Sequence, residues 1–289
     1  MSGEGKLPEV VTTAAEVRER VGAARAGGAC IGLVPTMGAL HEGHTALIGR
    51  ARADCGYVVV TIFVNPTQFP PGEDFERYPR DLEGDVRKAG EAGADLVVAP
   101  PVSEVYPPGD CTFVEVTGPL VEVMCGAHRP GHFRGVTTVC ARLFNIVGAD
   151  RAYFGQKDYQ QLLVVKQMVR DLRLPLEIVP VPTVREAGGL AMSSRNRYLS
   201  AEEREAATVL YRALSAAGKK AAAGESDPSA LVAGVREMIG GEPLVELQYA
   251  ELRDAETLEE IVRLDRPAVL VVAAFVGQAR LIDNVVLGR

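Results

Sequence analysis

Cys30-Ile-Gly-Leu-Val-Pro-Thr-Met-Gly-Ala-Leu-His-Glu-Gly-His-Thr45 sets out the architecture in miniature: strand, glycine-bearing loop, helix. Cys30 to Val34 is a short apolar run and reads as a strand. Pro35 to His44 carries two glycines and reads as a loop, and Thr45 to Ala53 as a helix. The next run, Tyr57-Val-Val-Val-Thr-Ile-Phe-Val64, is continuously apolar, the signature of a strand covered on both faces in a parallel sheet. Upstream, Thr13 to Gly27 predicts a helix with Ala15, Val17, Val21 and Ala24 on one face, closed by Gly27-Gly28.

Downstream the alternation continues. Helices are expected at Asp81 to Gly93, Gly135 to Val147 and Asp158 to Leu172, and strands at Asp95 to Ala99, Arg151 to Phe154 and Leu176 to Val181. Leu162, Val165, Val169 and Leu172 recur at helical spacing and predict a core stripe, with Pro175 closing the helix. Strands alternating with helices predict an α/β protein with a doubly wound parallel sheet.

The pattern changes after about Pro182. Ser200, followed three residues later by Glu203, resembles a capping box and opens a long Ala-rich helix to about Ala223. A turn at Gly224-Glu-Ser-Asp-Pro228 leads to a second helix ending at Ile239. Strands are expected at Leu244 to Glu251, Ala268 to Phe275 and Arg280 to Val286, the last two as a hairpin around Gly277-Gln278. This predicts two domains, residues 1–182 and a second, smaller α+β domain over 183–289.

The 289 residues carry a net charge of −7, which removes the electrostatic footprint expected of a nucleic-acid-binding chain. Met1 to Val10 is polar and includes Glu4, unlike a secretory signal. The longest apolar run, Ala268 to Val276, is about half of what spans a bilayer. A soluble, cytoplasmic protein without membrane contact is expected. The five cysteines, Cys30, Cys55, Cys111, Cys125 and Cys140, show no CxxC spacing, so neither a disulfide framework nor a thiolate zinc site is expected.

All four histidines fall in two Gly-rich segments: His41 and His44 after the first strand, and His128 and His132 in Gly126-Ala-His-Arg-Pro-Gly-His-Phe-Arg134. The first pair lies where a strand ends and a helix begins, the place where open α/β sheets bind ligands and helix N–H groups favour anions. Zincin proteases need His-Glu-x-x-His, and His41-Glu-Gly-His44 is one residue short. Asn65-Pro-Thr-Gln-Phe69 ends the next strand with neutral amides suited to orienting a small hydroxyl- or carboxylate-bearing substrate, although an Asn-Pro turn has the same form. Phe154-Gly-Gln-Lys-Asp-Tyr-Gln-Gln161 repeats the strand–loop–helix pattern, with Lys157 as a point charge, Asp158 available as N-cap and Gln161 one turn in. Tyr78-Pro-Arg-Asp-Leu-Glu-Gly-Asp85 carries three carboxylates that suit either a hydrated Mg²⁺ or a solvated helix start. Gly188-Gly-Leu-Ala-Met-Ser-Ser-Arg-Asn-Arg-Tyr198 pairs two hydroxyls with an arginine and reads as a glycine-hinged phosphate clamp or as a linker.

Taken in series, Pro35 to His44, Val64 to Phe69, Arg129-Pro-Gly-His-Phe-Arg-Gly-Val136, Phe154 to Gln161 and Gly189-Leu-Ala-Met-Ser-Ser-Arg-Asn196 closely resemble the pantoate–β-alanine ligase family of HIGH-motif nucleotidyltransferases. The resemblance covers about residues 9 to 286. It implies a Rossmann-like first domain that binds ATP and pantoate, a carboxy-terminal domain forming a lid, and a homodimer using ATP and Mg²⁺ to make pantothenate through a pantoyl adenylate. By resemblance, His41 and His44 form the HIGH-like element, Met192-Ser193-Ser194-Arg195 the KMSKS-like loop, and Lys157 the phosphate-contacting lysine. Pro35, Thr36, Met37, Gly38, Gly155, Asp158 and Val184 complete the nucleotide site. Met37, Asn65, Gln68, Tyr78 and Gln161 match the pantoate site, and Asp85 the position near Mg²⁺. Gln156 stands where the family commonly has Glu. Other HxGH nucleotidyltransferases, a truncated aminoacyl-tRNA synthetase and a non-catalytic nucleotide-binding regulator are the competing readings.

Overall fold

The computed structural model describes Leu7 to Gly288, so most of the polar start, with Glu4, lies outside the described residues. The chain divides into two compact units. The first comprises residues up to Val116, Arg129–Gln156 and Gln161–Pro182, and the second comprises Thr117–His128, Lys157–Gln160 and the chain from Thr183 onward.

In chain order the elements are β1 (Glu9–Val11), α1 (Ala14–Ala26), β2 (Ile31–Thr36), α2 (Glu42–Asp54), β3 (Tyr57–Ile62), α3 (Leu82–Glu91), β4 (Leu96–Val98), α4 (Val102–Val105), α5 (Pro119–Glu122), α6 (Met124–His128), α7 (His132–Val147), β5 (Arg151–Gly155), α8 (Tyr159–Asp171) and β6 (Glu177–Val181). There follow α9 (Ala201–Ala207), α10 (Val209–Ala222), α11 (Pro228–Gly240), β7 (Val245–Asp254), β8 (Ala268–Val276) and β9 (Ala279–Leu287).

The first unit is a six-stranded parallel sheet in the order β1-β4-β3-β2-β5-β6. Alternate strand residues feed two cores. Leu33, Val59 and Leu96 pack with Val17 and Val21 of α1, Val136 of α7 and Val165 of α8, whereas Val34, Val58 and Val60 pack with Leu47 and Ile48 of α2 and Val86 of α3. Helices therefore cover both faces, the doubly wound α/β architecture that the alternation predicts. The strand order reverses between β2 and β5, which places the ligand-binding switch point at their carboxyl ends.

The second unit holds the antiparallel sheet β7-β8-β9. Its core joins Leu210 and Leu214 of α10 and Leu231, Val235 and Ile239 of α11 to Leu270 and Val272 of β8. The hairpin turns through Gly277-Gln278, with Val276 paired to Ala279, and the Ser200–Glu203 capping box is formed.

Several boundaries differ from the sequence reading, each for a local reason. The helix expected from Thr45 begins at Glu42, because His41 serves as its N-cap. Asp158 does not cap α8: it closes the 3₁₀ turn Gln156–Asp158 that runs directly into Tyr159. The core stripe of α8 ends early, since the helix stops at Asp171 and Leu172 is 49% exposed, while buried Met168 continues the stripe. The long Ala-rich helix breaks at Thr208, whose hydroxyl donates to the Glu205 carbonyl at 2.6 Å, a back-bond that bends helices. The edge strand β1 and the short helices α4, α5 and α6 have no periodic signal in the sequence.

Candidate active site

The loop joining β2 to α2 is held from below by one carboxylate. Asp85, on α3 and 1% exposed, accepts the main-chain N–H groups of Ala39 and Leu40, each at 2.7 Å. Lys88 Nζ donates to the Leu40 carbonyl at 2.8 Å. Burial pushes the Asp85 carboxyl above its ordinary range, and the two N–H donors pull it part of the way back. Gly38 is required here twice over: its φ is +81°, and a Cβ would lie 2.9 Å from Asp85 Oδ2. Thr36 completes the turn by donating to the Thr61 carbonyl at 2.7 Å and accepting from Gly38 N at 3.2 Å.

His41 and His44 cap α2 reciprocally. His41 Nδ1 accepts from Gly43 N at 3.1 Å, His44 Nδ1 accepts from His41 N at 3.3 Å, and the ring centroids lie 4.1 Å apart. A ring nitrogen that accepts carries no proton, so both imidazoles are neutral and each bears its hydrogen on Nε2. The pair thus presents two neutral Nε2 donors at the helix start rather than two cations.

Three of the expected substrate residues of the first unit, Met37, Asn65 and Gln68, form one network. Asn65, buried, donates from Nδ2 to Gln68 Oε1 at 3.0 Å and to the Gly135 carbonyl at 3.1 Å. Its Oδ1 accepts from Tyr106 OH at 2.8 Å and Thr67 Oγ1 at 2.9 Å. Gln68 Nε2 then donates to Met37 Sδ at 2.9 Å. Met37, Asn65 and Gln68 are therefore brought together. Tyr78 is buried, its ring edge-on to Phe69 at 5.9 Å. Gln161 is half-buried in α8, and Gly155 ends β5 opposite Val181. Pro35 lies in β2, paired with Thr61.

In the second unit, Lys157 lies 3.8 Å from Asp158 Oδ2, and its carbonyl accepts from Asn284 Nδ2 at 2.9 Å. The segment around Val184 to Tyr198 is tied at its base. Met192 N donates to the Val184 carbonyl at 2.9 Å, and Arg185 forms a double bond-pair with buried Asp283 at 2.6 and 2.9 Å. Glu186 bridges Arg204 (2.6 and 2.7 Å) and Asn196 Nδ2 (2.8 Å). Ser193 caps the 3₁₀ turn Ser194–Tyr198 through Arg195 N at 3.3 Å, and Ser194 is buried. Gly189, expected as part of a hinge, is a packing glycine at φ +90°, since a Cβ there would meet the Tyr211 ring at 2.1 Å.

The residues present do not fit a protein-held Mg²⁺. Both Asp85 oxygens already accept main-chain hydrogens, Asp81 Oδ1 caps Gly84 N at 3.0 Å, and among the described residues no group of three or more His, Cys, Asp or Glu side chains is arranged to hold a metal ion. Three groups went unassigned in the sequence: Glu73, Arg129 and Asp283. Glu73 and Arg129 lie in loops, which carry no periodic signal, whereas Asp283 lies within strand β9, and only the gathering of His128 and His132 drew attention to one of these neighbourhoods. All five cysteines are free, and burial pushes the Cys140 thiol up to about 12. No described helix is long and apolar enough to cross a membrane.

Residues 9–286 match the family described as pantoate-beta-alanine ligase. Pantothenate synthetase of Moorella thermoacetica is 54% identical over 279 residues, covering 96% of this chain and 98% of that protein. The Rubrobacter xylanophilus pantothenate synthetase is 56% identical over 280 residues, covering 94% and 96%. Among solved structures, pantothenate synthetase from Thermus thermophilus superposes with a TM-score of 0.92 at 50% identity, covering 96% of this chain and 98% of that one. Pantoate-beta-alanine ligase from Francisella tularensis, solved in complex with beta-gamma ATP and beta-alanine, gives 0.79 at 30% identity, covering 96% and 97%.

Proposed function

The chain belongs to the pantoate–β-alanine ligase family, and from that premise we propose how its residues divide the work of joining pantoate to β-alanine at the expense of ATP. It is an enzyme, a ligase of pantothenate biosynthesis. The observation that carries the assignment of roles is the reciprocal His41–His44 cap at the end of β2, beside the sheet's switch point.

The pantoate carboxylate attacks the α-phosphorus of ATP, pyrophosphate leaves, and the amine of β-alanine then displaces AMP from the pantoyl adenylate to form the amide. The first step brings anions together and adds charge to the leaving group, so donors aimed at the phosphates are the principal device. His41 and His44 donate from Nε2, with Lys157 and Arg195 as the fixed cations and Ser193 and Ser194 as hydroxyl donors. Pro35, Thr36, Gly38, Gly155, Asp158, Val184 and Met192 shape the nucleotide site. Gln68, Gln161, Asn65, Met37 and Tyr78 receive pantoate, neutral amides reading its hydroxyl and carboxylate oxygens without adding charge. Asp85 acts by clamping the Ala39–Leu40 turn. Magnesium enters this reading only as a companion of the nucleotide phosphates. The family resemblance implies a nucleotide and pantoate domain over 1–182, a lid over 183–289 and a homodimer, and the compact units differ in adding Thr117–His128 and Lys157–Gln160 to the carboxy-terminal one.

The test is incubation with ATP, pantoate and β-alanine, with AMP and pantothenate measured together. Stoichiometric formation of both is expected. ATP binding without AMP release would leave a nucleotide-binding regulator as the correct reading.

A further inference from the structure

We propose that His132 and Arg129 are positioning residues for pantoate that act through Gln68, an inference resting on the reading of Gln68 as a pantoate-site residue. Neither side chain is part of the network of Met37, Asn65 and Gln68 side chains, yet both converge on the Gln68 main chain. His132, at the start of α7 and 6% exposed, places Nδ1 2.7 Å from the Gln68 carbonyl oxygen. A carbonyl only accepts, so Nδ1 carries the hydrogen. Arg129 Nη1 lies 2.9 Å from His132 Nε2, and a guanidinium only donates, so Nε2 is bare. The two constraints arise from opposite sides of the ring and give the same neutral tautomer.

Arg129 is fixed in turn. Its Nε and Nη2 grip the two oxygens of Glu73 at 2.6 Å each, a bidentate fork in which both partners are largely buried. Nη2 also reaches the Gln68 carbonyl at 3.4 Å. The order is therefore Glu73, Arg129, His132, Gln68: carboxylate, guanidinium, imidazole and carbonyl, each holding the next.

The consequence lies at the Gln68 amide. Asn65 donates to Oε1, which assigns the amide's orientation and turns Nε2 toward the Met37 sulfur, a weak acceptor. Gln68 thus offers a donor that a substrate carboxylate or hydroxyl oxygen can take from the thioether. The turn carrying it, Pro66–Gln68, is packed directly on α7: a Cβ on Gly135 would fall 2.3 Å from the Thr67 carbonyl oxygen. With the His132 bond removed, the turn keeps only the long 3.4 Å contact from Arg129 on the carbonyl side, and the donor shifts relative to the rest of the site. Displacements of about 1 Å in a positioned group cost up to roughly 10²-fold in turnover.

The experiment is a double-mutant cycle of Gln68→Ala and His132→Phe, with steady-state constants for pantoate and for ATP and a melting curve for each folded variant. His132→Phe is expected to lower kcat/KM for pantoate by about 10- to 100-fold, chiefly through KM, with the KM for ATP little changed. The double variant is expected to lose no more than Gln68→Ala alone, whereas multiplied losses overturn the inference. His132→Asn, which keeps a donor near Nδ1, is expected to recover most of the pantoate effect, and a folded His132→Asn as impaired as His132→Phe overturns it. Should His132→Phe not fold, Arg129→Lys serves instead: it keeps the charge but not the fork, and unchanged pantoate kinetics in that variant overturn the role of Arg129. Impaired Gln68→Ala beside an unaffected His132→Phe defeats this inference alone. Unimpaired Gln68→Ala defeats the underlying reading of Gln68.

Discussion

At the residue scale, the informative feature is which histidine nitrogen carries the hydrogen. Both HIGH-like rings accept on Nδ1 and so donate from Nε2. Replacing His44 by Ala removes one preorganised donor, and the adenylation rate should fall by about 10²- to 10³-fold in single-turnover measurements. His44 is a half-buried helix-start residue, so the melting temperature should move little. The tautomer adds a sharper expectation. His44→Gln presents an amide N–H near the Nε2 position and should retain more adenylation than His44→Asn, which presents it near Nδ1. The reverse order would mean that the tautomer argued from the cap is wrong. Gln161→Ala belongs to the same scale: on the proposed reading its neutral amide receives pantoate oxygens, so KM for pantoate should rise by the equivalent of roughly 1–3 kcal/mol while ATP binding is unchanged.

At the scale of elements, α3 serves the site through two side chains, Asp85 on the loop's N–H groups and Lys88 on the Leu40 carbonyl. Asp85→Asn replaces one accepting oxygen with an NH₂ that faces a main-chain donor, leaving one of the two loop N–H groups unsatisfied. A stability loss of about 1–3 kcal/mol is expected in denaturant titration, with a raised KM for ATP. Added Mg²⁺ should not reverse either change, and reversal would restore a direct metal role for Asp85. The β7 terminus offers a comparable case in the second unit. Burial alone would raise the Asp254 carboxyl, but the N–H donors of Thr257 and Glu256 and the Arg266 guanidinium outweigh it and hold it at about 2. Its folded value is thus below its unfolded one of about 3.9, so its contribution is fully present above pH 4 and is lost as pH falls toward 2. Asp254→Asn should cost about 1–3 kcal/mol at neutral pH, and the difference from the parent should vanish in acid unfolding measurements near pH 2.

At the scale of the whole molecule, the chemistry needs no covalent acyl carrier, since the donors assigned to it suit adenylation. Pantoate and ATP by themselves should therefore support exchange of labelled pyrophosphate into ATP. A strict requirement for β-alanine in that exchange would reverse the two-step order. The fold was legible at this scale because buried parallel strands such as Tyr57 to Ile62 are unbroken apolar runs, and turn residues mark their ends. Edge strand β1 was not legible. Three residues paired on one side leave almost no pattern.

Short-range physics accounts for everything that could be read along the chain. Apolar period, capping residues and glycine punctuation specify helices, strands and the doubly wound order, and the five motifs specify the family. Tertiary structure alone decided the rest, because it depends on residues far apart in the chain. Asp85 reads as one of three carboxylates at a helix start until Ala39 and Leu40 are seen donating to it across 46 and 45 positions. Arg129 reads as a loop cation until Glu73, 56 positions away, closes its fork. The protonation of the histidines, likewise, is written in no local pattern: a ring's tautomer is set by whichever donor or acceptor the fold brings to each nitrogen.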